Sequence, residues 1–270
     1  MKKFLVFVLL VIISGTIALV IGLKTSEKVE TEDIIIKLGL KTPIKILQLS
    51  DFHYPKNIIP QDETFSLIKT AEPDMVVMTG DIFDASVKQD KIRELSPFLK
   101  NISSHYPCFF VIGNHEIGSK YLDNILEVVS QSGITVLSNG ATTISLNGVT
   151  VELLGLTDSY AFTTDNIRKP HKQAADFRIL LSHRPEKFES YALATDDIKP
   201  QIVFAGHAHG GMVRLGNQGF YAPHQGFFPR YTSGLYENNG VYMVVSRGLG
   251  VSGANFRVFN RIHIPIVTVT

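Results

Sequence analysis

The chain has 270 residues, of which 44% are hydrophobic and 19% charged, and its 26 basic and 25 acidic side chains give a net charge of +1. This length suffices for one large hydrophobic core or two modest ones. The balanced charge argues against a nucleic-acid binder that neutralises phosphates, and the single cysteine, Cys108, excludes an intramolecular disulfide and a Cys-rich zinc module.

The first segment is predicted to be a membrane anchor. Phe4 to Leu23 are 20 uncharged residues, and as a helix they would span about 30 Å, the thickness of the hydrocarbon core. A cleaved signal peptide is the alternative, but its apolar region is usually shorter, and Ile21-Gly22-Leu23 is a poor small-x-small cleavage pattern. Lys2 and Lys3 favour an N-terminus on the cytoplasmic side of the cell membrane. The chain would then cross the membrane once and place its soluble domain on the extracytoplasmic side.

The rest of the chain alternates strand and helix signals. A hairpin is predicted over 142–156 because Asn147-Gly148 is a strong turn signal, and Pro97 should kink or divide the helix that contains it. Strands are predicted at 44–50, 75–78, 108–112, 177–181, 201–205, 241–246 and 262–270, and helices at 61–72, 87–102 and 121–130.

These elements predict a single α/β domain. Apolar strands separated by helices indicate parallel strands with helices outside, and the late antiparallel signals make the sheets mixed. We therefore expect two packed mixed β-sheets. The chain divides into the apolar segment 1–23, a linker and first strand over 24–43, and the main domain over 44–270.

A polar motif follows each of five predicted strands. Ligands bind beyond the carboxyl ends of strands in open α/β sheets, so these motifs should converge on one place. Gly80, Gly113 and Gly206 would let the chain turn sharply and approach a ligand closely. The motifs are Asp51-Phe52-His53, Gly80-Asp81-Ile82-Phe83-Asp84, Gly113-Asn114-His115-Glu116, Ser182-His183 and Gly206-His207-Ala208-His209.

The side chains in these motifs have the chemistry of metal ligands. Asp51 and His53 are two residues apart, so in an extended chain both face the same way, and the same holds for His207 and His209. Each pair could bind one ion or reach two neighbouring ones. Carboxylates, imidazoles and an amide without thiolate suit Mn, Fe or Zn. There are more candidate ligands than one ion needs, whereas two ions about 3.5–4 Å apart that share a carboxylate would use them.

The five blocks, in this order between Leu49 and Gly211, resemble those of the calcineurin-like metallophosphoesterases. The segments 210–214, 231–236 and 246–250 resemble the membrane-anchored bacterial phosphohydrolase branch. The resemblance implies an αββα sandwich, with two mixed sheets flanked by helices, preceded by one N-terminal transmembrane helix. It makes 44–270 the catalytic domain.

The resemblance also implies a role for each residue. One divalent cation would be held by Asp51, His53 and His209, the other by Asn114, His183 and His207, with Asp81 between the two. His115 would face the phosphoryl oxygen as general acid or electrostatic stabiliser, and Asp84 would orient its imidazole. Hydroxide formed near neutral pH would attack phosphorus in line.

Several residues have two interpretations. Asp84 could instead cap the helix that follows, and Glu116 is expected to be solvated or to support the ligands. Arg214 could meet a phosphate bidentately as a substrate-binding residue. His224 lies in an aromatic stretch, 220–236, that could line a substrate groove or pack as ordinary loop. The remaining histidines, His105, His171 and His263, are expected to be surface or structural residues.

Two features indicate the substrate class: a difference from the motif of the serine/threonine phosphatases, and the predicted membrane anchor. Ala85-Ser86 stands where the serine/threonine phosphatases of the superfamily carry Arg-Gly, which argues against a phosphoprotein substrate. An anchored site favours a lipid-linked phosphate or pyrophosphate or another phosphorylated small molecule, and nucleic acid is not expected as a partner. The alternatives are a general phosphodiesterase acting on nucleotides or other small diesters, and a non-catalytic metal-binding scaffold.

Overall fold

A computed structural model describes residues 1–158, 160–167, 175–251, 253 and 256–270. Seven α-helices and sixteen strands lie in this described part. The helices are α1 (Lys2–Ser26), α2 (Gln61–Ala71), α3 (Gln89–Glu94), α4 (Ser96–Ser103), α5 (Asn114–Gly118), α6 (Leu122–Gln131) and α7 (Phe188–Ala192). The strands are β1 (Val29–Ile36), β2 (Ile44–Leu49), β3 (Met75–Met78), β4 (Cys108–Phe110), β5 (Thr135–Val136), β6 (Ala141–Leu146), β7 (Val149–Leu156), β8 (Phe177–Ser182), β9 (Ile202–Ala205), β10 (Arg214–Leu215), β11 (Gln218–Gly219), β12 (Tyr221–Ala222), β13 (Gly226–Phe227), β14 (Gly234–Asn238), β15 (Val241–Val245) and β16 (Ile262–Val269).

The N-terminal helix α1 is apolar along its length and is long and apolar enough to cross a membrane. It begins two residues before the predicted span and ends three residues after it. The hydroxyls of Ser14, Thr16 and Thr25 donate to backbone carbonyls one turn earlier in the helix. These side chains therefore satisfy their own polar groups, as a helix in an apolar environment requires.

Two mixed six-stranded sheets form the frame of the domain. The first has the order β1-β16-β2-β3-β4-β5, with β2 to β5 parallel and β16 antiparallel to β2. The second has the order β14-β15-β9-β8-β7-β6, with parallel strands inside and the antiparallel strands β14 and β6 at its edges. The predicted pair of mixed sheets is confirmed.

The sheets pack face to face and helices cover their outer faces. In β3, Met75 and Val77 belong to the core between the sheets, whereas Val76 and Met78 belong to the core under the helices α2, α3, α4 and α6. Tyr191 of α7 packs on the outer face of the second sheet. Because successive side chains of a strand point to opposite faces, burial of both faces requires the continuous apolar run that the sequence shows.

The local predictions agree with the structure. The predicted helix 87–102 is two helices, α3 and α4, and Pro97 occupies the first turn of α4, where its missing N–H costs no hydrogen bond. In the hairpin between β6 and β7, Asn147 has φ 51° and Gly148 has φ 81°, the two positive values that a type I′ turn needs. The small hairpins β10–β11 and β12–β13 were not predicted.

Candidate metal centre

The five polar motifs meet at one end of the two sheets. β2, β3 and β4 of the first sheet and β8 and β9 of the second each end at one motif. Among the described residues, three groups of side chains there could hold a metal ion: a first group of Asp51, His53 and His209, a second group of Asp81, His183 and His207, and a third of His53, Asp84 and His115, which shares His53 with the first. The ligand atoms within each group lie within 4.8 Å of one another.

The first group consists of buried side chains whose ligand atoms point at one another. His209 Nε2 lies 3.1 Å from His53 Nε2 and 3.3 Å from Asp51 Oδ1. The Asp51 carboxylate is fixed by the Ser50 hydroxyl at 2.6 Å and by the His207 backbone N–H at 3.1 Å. The structure therefore brings together the three side chains that the resemblance assigns to one cation.

The second group surrounds His183 Nε2. This nitrogen lies 3.1 Å from Asp81 Oδ2, 3.1 Å from Asn114 Oδ1 and 3.2 Å from His207 Nδ1. On the other side of the ring, His183 Nδ1 donates to the carbonyl of Thr79 at 2.7 Å. That bond orients the ring so that Nε2 faces the other side chains of the second group.

Asp81 lies between the two groups. Its Oδ1 accepts the backbone N–H of His115 at 2.8 Å. Its Oδ2 lies 3.1 Å from His183 Nε2 and 3.9 Å from His53 Nε2. One oxygen of Asp81 is thus held by the backbone, and the other reaches both groups, which is the geometry that a shared carboxylate requires.

Burial and neighbouring charges set the ionisation of these side chains. Burial raises the pKa of Asp51 to about 6, and it lowers the pKa of His53 to about 3. Burial also lowers the pKa of His209 well below its usual value. Burial alone would lower the pKa of His183, but the Asp81 carboxylate raises it to about 10.

Five of the candidate ligands have a strained backbone. Asp51, His53, Asp81, His207 and His209 have φ between 45° and 65°. A left-handed conformation costs a residue other than glycine roughly 1–3 kcal/mol. The expectation of an extended chain through these residues is wrong; each strand ends in a sharp turn instead. His207 and His209 belong to different groups, whereas Asp51 and His53 share one.

His115 and Asp84 lie beside the first group. The His115 ring meets the His53 ring edge-on at a centroid distance of 4.4 Å, and its Nε2 lies 4.0 Å from Asp81 Oδ2. Asp84 Oδ2 is 3.4 Å from His115 Nδ1, and Asp84 Oδ1 accepts the backbone N–H of Ser86 at 2.9 Å. Asp84 therefore both caps the turn that follows it and contacts His115. Although burial opposes this, the contact with Asp84 and the charge of Asp81 raise the pKa of His115.

Glu116 is fully buried and not solvated. Its Oε2 accepts the backbone N–H groups of Asp81 at 2.8 Å and Gly113 at 3.0 Å, and its Oε1 accepts that of Phe83 at 2.9 Å. This carboxylate ties the loop after β3 to the loop after β4. It supports the candidate ligands without being one of them.

Two further residues singled out in the sequence, Arg214 and His224, lie around these groups. The Arg214 guanidinium donates to the carbonyls of Gly210 at 2.8 Å and Asn217 at 2.7 Å, so it braces the loop after His209, and its contact with substrate stays a prediction. The His224 ring stacks on the His207 ring at a centroid distance of 5.4 Å. Of the histidines expected to be structural, His263 is buried and His105 is exposed, while His171 lies outside the described residues.

Two arginines near the ligands were missed by the sequence analysis. Arg184 forms a two-bonded ion pair with Asp158, and its Nη1 lies 3.4 Å from His207 Nε2. Arg257 is buried, with its Nη2 3.4 Å from His209 Nδ1. The position of Arg184 directly after His183 was visible in the sequence, but Asp158 is 26 residues away, beyond any short-range pattern.

The residues present fit divalent cations. Nitrogen and oxygen donors converge in groups whose ligand atoms lie within 4.8 Å of one another. The raised pKa of Asp51 means that the neighbouring side chains do not offset the cost of burying its charge, and a bound cation would do so. The donor set suits Mn, Fe or Zn.

Comparisons of the sequence with known proteins agree on one family. The model of the calcineurin-like phosphoesterase family matches residues 44–211. The uncharacterized metallophosphoesterase YkuE of Bacillus subtilis is 30% identical over 230 residues, which cover 83% of this chain and 78% of that protein. YkoQ of the same organism, also named an uncharacterized metallophosphoesterase, is 27% identical over 241 residues, or 87% of each chain. Among solved structures, the purple acid phosphatase PPD1 from yellow lupin is similar with a TM-score of 0.47 and 16% identity, covering 79% of this chain and 45% of that one.

Proposed function

The chain belongs to the calcineurin-like phosphoesterase family and is a hydrolase acting on ester bonds, and we propose that it cleaves phosphoester or pyrophosphate bonds at a centre of two divalent cations. The observation that supports two cations is the position of Asp81 Oδ2 between His183 Nε2 and His53 Nε2. Asp51, His53 and His209 would hold one cation, and Asn114, His183 and His207 the other.

The cations, when bound, would supply hydroxide near neutral pH and neutralise the phosphoryl oxygens. Residues of the chain would position the shared carboxylate and donate the proton. The backbone N–H of His115 holds Asp81 Oδ1, so Oδ2 stays directed between the two groups. The His115 imidazole, with the carboxylate of Asp84 at its Nδ1, would present Nε2 to the leaving oxygen as a proton donor.

We also propose that α1 anchors the protein in the cell membrane with the catalytic domain outside. The support is its length and apolar composition, together with Lys2 and Lys3 at its start. A reporter fused after Thr270 tests the orientation. Activity of a reporter that works only in the cytoplasm would reverse it.

Metal analysis and turnover of the full chain in detergent test the proposed centre. After chelation and reloading with Mn, Fe, Co or Zn, we expect about two ions per chain and hydrolysis of p-nitrophenyl mono- or diesters. Asp81→Ala should lose bound metal and turnover together. Asp62→Ala, an exposed aspartate in the first turn of α2, should keep both.

Two results would overturn this proposal. One bound ion per chain in the active protein would remove the shared role of Asp81. A fully loaded chain that hydrolyses neither monoesters, diesters nor pyrophosphates would favour the non-catalytic scaffold instead.

A further inference from the structure

An apolar groove opens beside the candidate metal centre. It encloses about 450 Å³, within the range of roughly 300–1,000 Å³ of ligand sites. His209, a member of the first metal-binding group, forms one wall. The other walls are apolar and mainly aromatic, and include Met212, Phe220, Phe227 and Phe256. An occupant would therefore contact His209, a candidate metal ligand, and otherwise mainly apolar side chains.

One side of the groove is formed by the hairpin β12–β13, which the sequence did not reveal. Phe220 meets Phe227 edge-on at a centroid distance of 5.4 Å, and Tyr221 contacts Phe227 at the same distance. The backbone of Gly211, with φ 78°, approaches Gly219 closely: a Cβ built on Gly211 would lie 2.5 Å from the Cα of Gly219. The hairpins are therefore packed directly onto the loop that carries His209.

Two of the aromatic rings that line the groove are largely exposed to solvent. Phe227 is 66% exposed, and Phe220 is 44% exposed. Aromatic side chains clustered at a surface mark a contact with an apolar partner. In this chain that partner has to reach a phosphate-binding centre, because His209 forms part of the wall.

The groove is also joined to the end of the apolar helix. Val258 bridges to Val213 of the groove, and its side chain lies against Gly22 of α1. The backbone N–H of Phe259 donates to the carbonyl of Gly22 at 3.0 Å. The last turns of α1 and the groove therefore share one packed segment. If α1 lies in a bilayer, the groove lies at the bilayer surface.

We propose that this groove holds the hydrocarbon chain of an amphiphilic phosphoester while its phosphate lies at the metal centre. This inference rests on the proposed phosphohydrolase function and specifies its substrate class. An extracted membrane lipid would enter from the side of α1 and keep its chain on Phe220, Phe227 and Phe256. Each methylene that leaves water for the groove should then raise kcat/KM about fourfold until the groove is full.

The test uses the full chain in lipid nanodiscs, loaded with Mn, and p-nitrophenyl alkyl phosphodiesters with chains from methyl to dodecyl. We expect kcat/KM of the native protein to rise with chain length. Phe227→Ser should flatten this rise, whereas Leu215→Ser should keep both the rise and the turnover of the methyl ester. Leu215→Ser is the matched control, because Leu215 is 74% exposed on the neighbouring hairpin but does not line the groove.

Binding gives a second readout that does not depend on turnover. Calorimetric titration with octylphosphonate, corrected with empty nanodiscs, should show tighter binding and a more negative heat-capacity change than titration with methylphosphonate. Phe227→Ser should abolish that difference. Equal chain-length dependence in the native protein and Phe227→Ser, or none in the native protein, overturns the groove assignment. Failure to hydrolyse even the methyl ester overturns the proposed function itself.

Discussion

Gly113 lies against Asp81 so closely that a side chain there would displace the Asp81 carboxylate. A Cβ built on Gly113 would be 2.6 Å from the backbone nitrogen of Asp81 and nearer still to its Oδ1. The φ of Gly113 is −90°, which alanine adopts readily. Steric conflict with Asp81 is therefore the reason why this position needs glycine.

Gly113→Ala should consequently lose metal and activity together. We expect turnover to fall at least 10²-fold, since displacement of a reacting group by about 1 Å has that effect. Gly118→Ala is the matched control: it lies at the other end of α5, and its Cβ would meet nothing nearer than 3.7 Å. Metal content and p-nitrophenyl ester hydrolysis measure the effect. Normal metal content in Gly113→Ala would contradict it.

Glu116→Gln should loosen the loops that carry Asp81 and Gly113. An amide has one acceptor oxygen, so its NH₂ would face at least one of the three backbone donors that the carboxylate now satisfies. We expect a loss of about 1–3 kcal/mol in the free energy of unfolding and about 10–100-fold weaker metal binding.

Chelator competition and urea unfolding measure these two effects. Glu127→Gln, at an exposed position of α6, should change neither quantity by more than about 0.5 kcal/mol. Unchanged metal affinity in Glu116→Gln would show that the three backbone bonds are dispensable.

His115→Ala should retain metal and lose turnover by about 10²–10⁴-fold, the range for positioned proton transfer. Its imidazole borders the first group but is not needed to complete either triad of metal ligands. His105→Ala, an exposed histidine after α4, should behave as the native protein. Turnover within a few-fold of native in His115→Ala would remove the assigned role.

The buried His263 should make stability depend on pH. Its Nδ1 accepts the backbone N–H of Arg247 at 3.3 Å, and its Nε2 lies 2.9 Å from Glu32 Oε2. Burial lowers the pKa of His263 in spite of Glu32. The contribution of neutral His263 to the free energy of unfolding is therefore complete above its pKa in the unfolded chain, near 6.5. It is lost as the pH falls below that value, because the unfolded chain then binds the proton first.

Comparison with His263→Gln isolates this contribution. Between pH 7.5 and 5.5 the native free energy of unfolding should fall relative to that of the variant by up to about 1.4 kcal/mol. Glu32, whose pKa is lowered first by its hydrogen bond with His263, titrates below this window. A difference between the two proteins that stays constant with pH would contradict the prediction.

Cys108 should be unreactive in the folded protein. Burial raises the pKa of its thiol to about 12, and Sγ donates to the carbonyl of Tyr106. Because the thiolate is the reactive form, iodoacetamide at pH 8 should label the protein only after denaturation. Mass spectrometry of the labelled chain measures this. Complete labelling of the folded protein would show that β4 opens readily.

The sequence alone determined the elements of the fold and the identity of the candidate ligands. Continuous apolar runs such as Met75–Met78 predict buried strands because burial on both faces leaves no position for a polar side chain. Asn147-Gly148 predicts its hairpin because a type I′ turn needs two positive φ values. These are properties of a few neighbouring residues, so they can be recognised without the folded chain.

Residue spacing did not decide how the side chains are grouped; the tertiary structure brings distant motifs together. His207 and His209 share one motif yet belong to different groups, and periodicity does not reveal the left-handed backbone at either residue. Asp51 meets the backbone of His207 across 156 residues of sequence. The burial of Glu116 and the groove at Phe220 likewise depend on which distant loops are packed together, and that is set by the pairing of strands far apart in the chain.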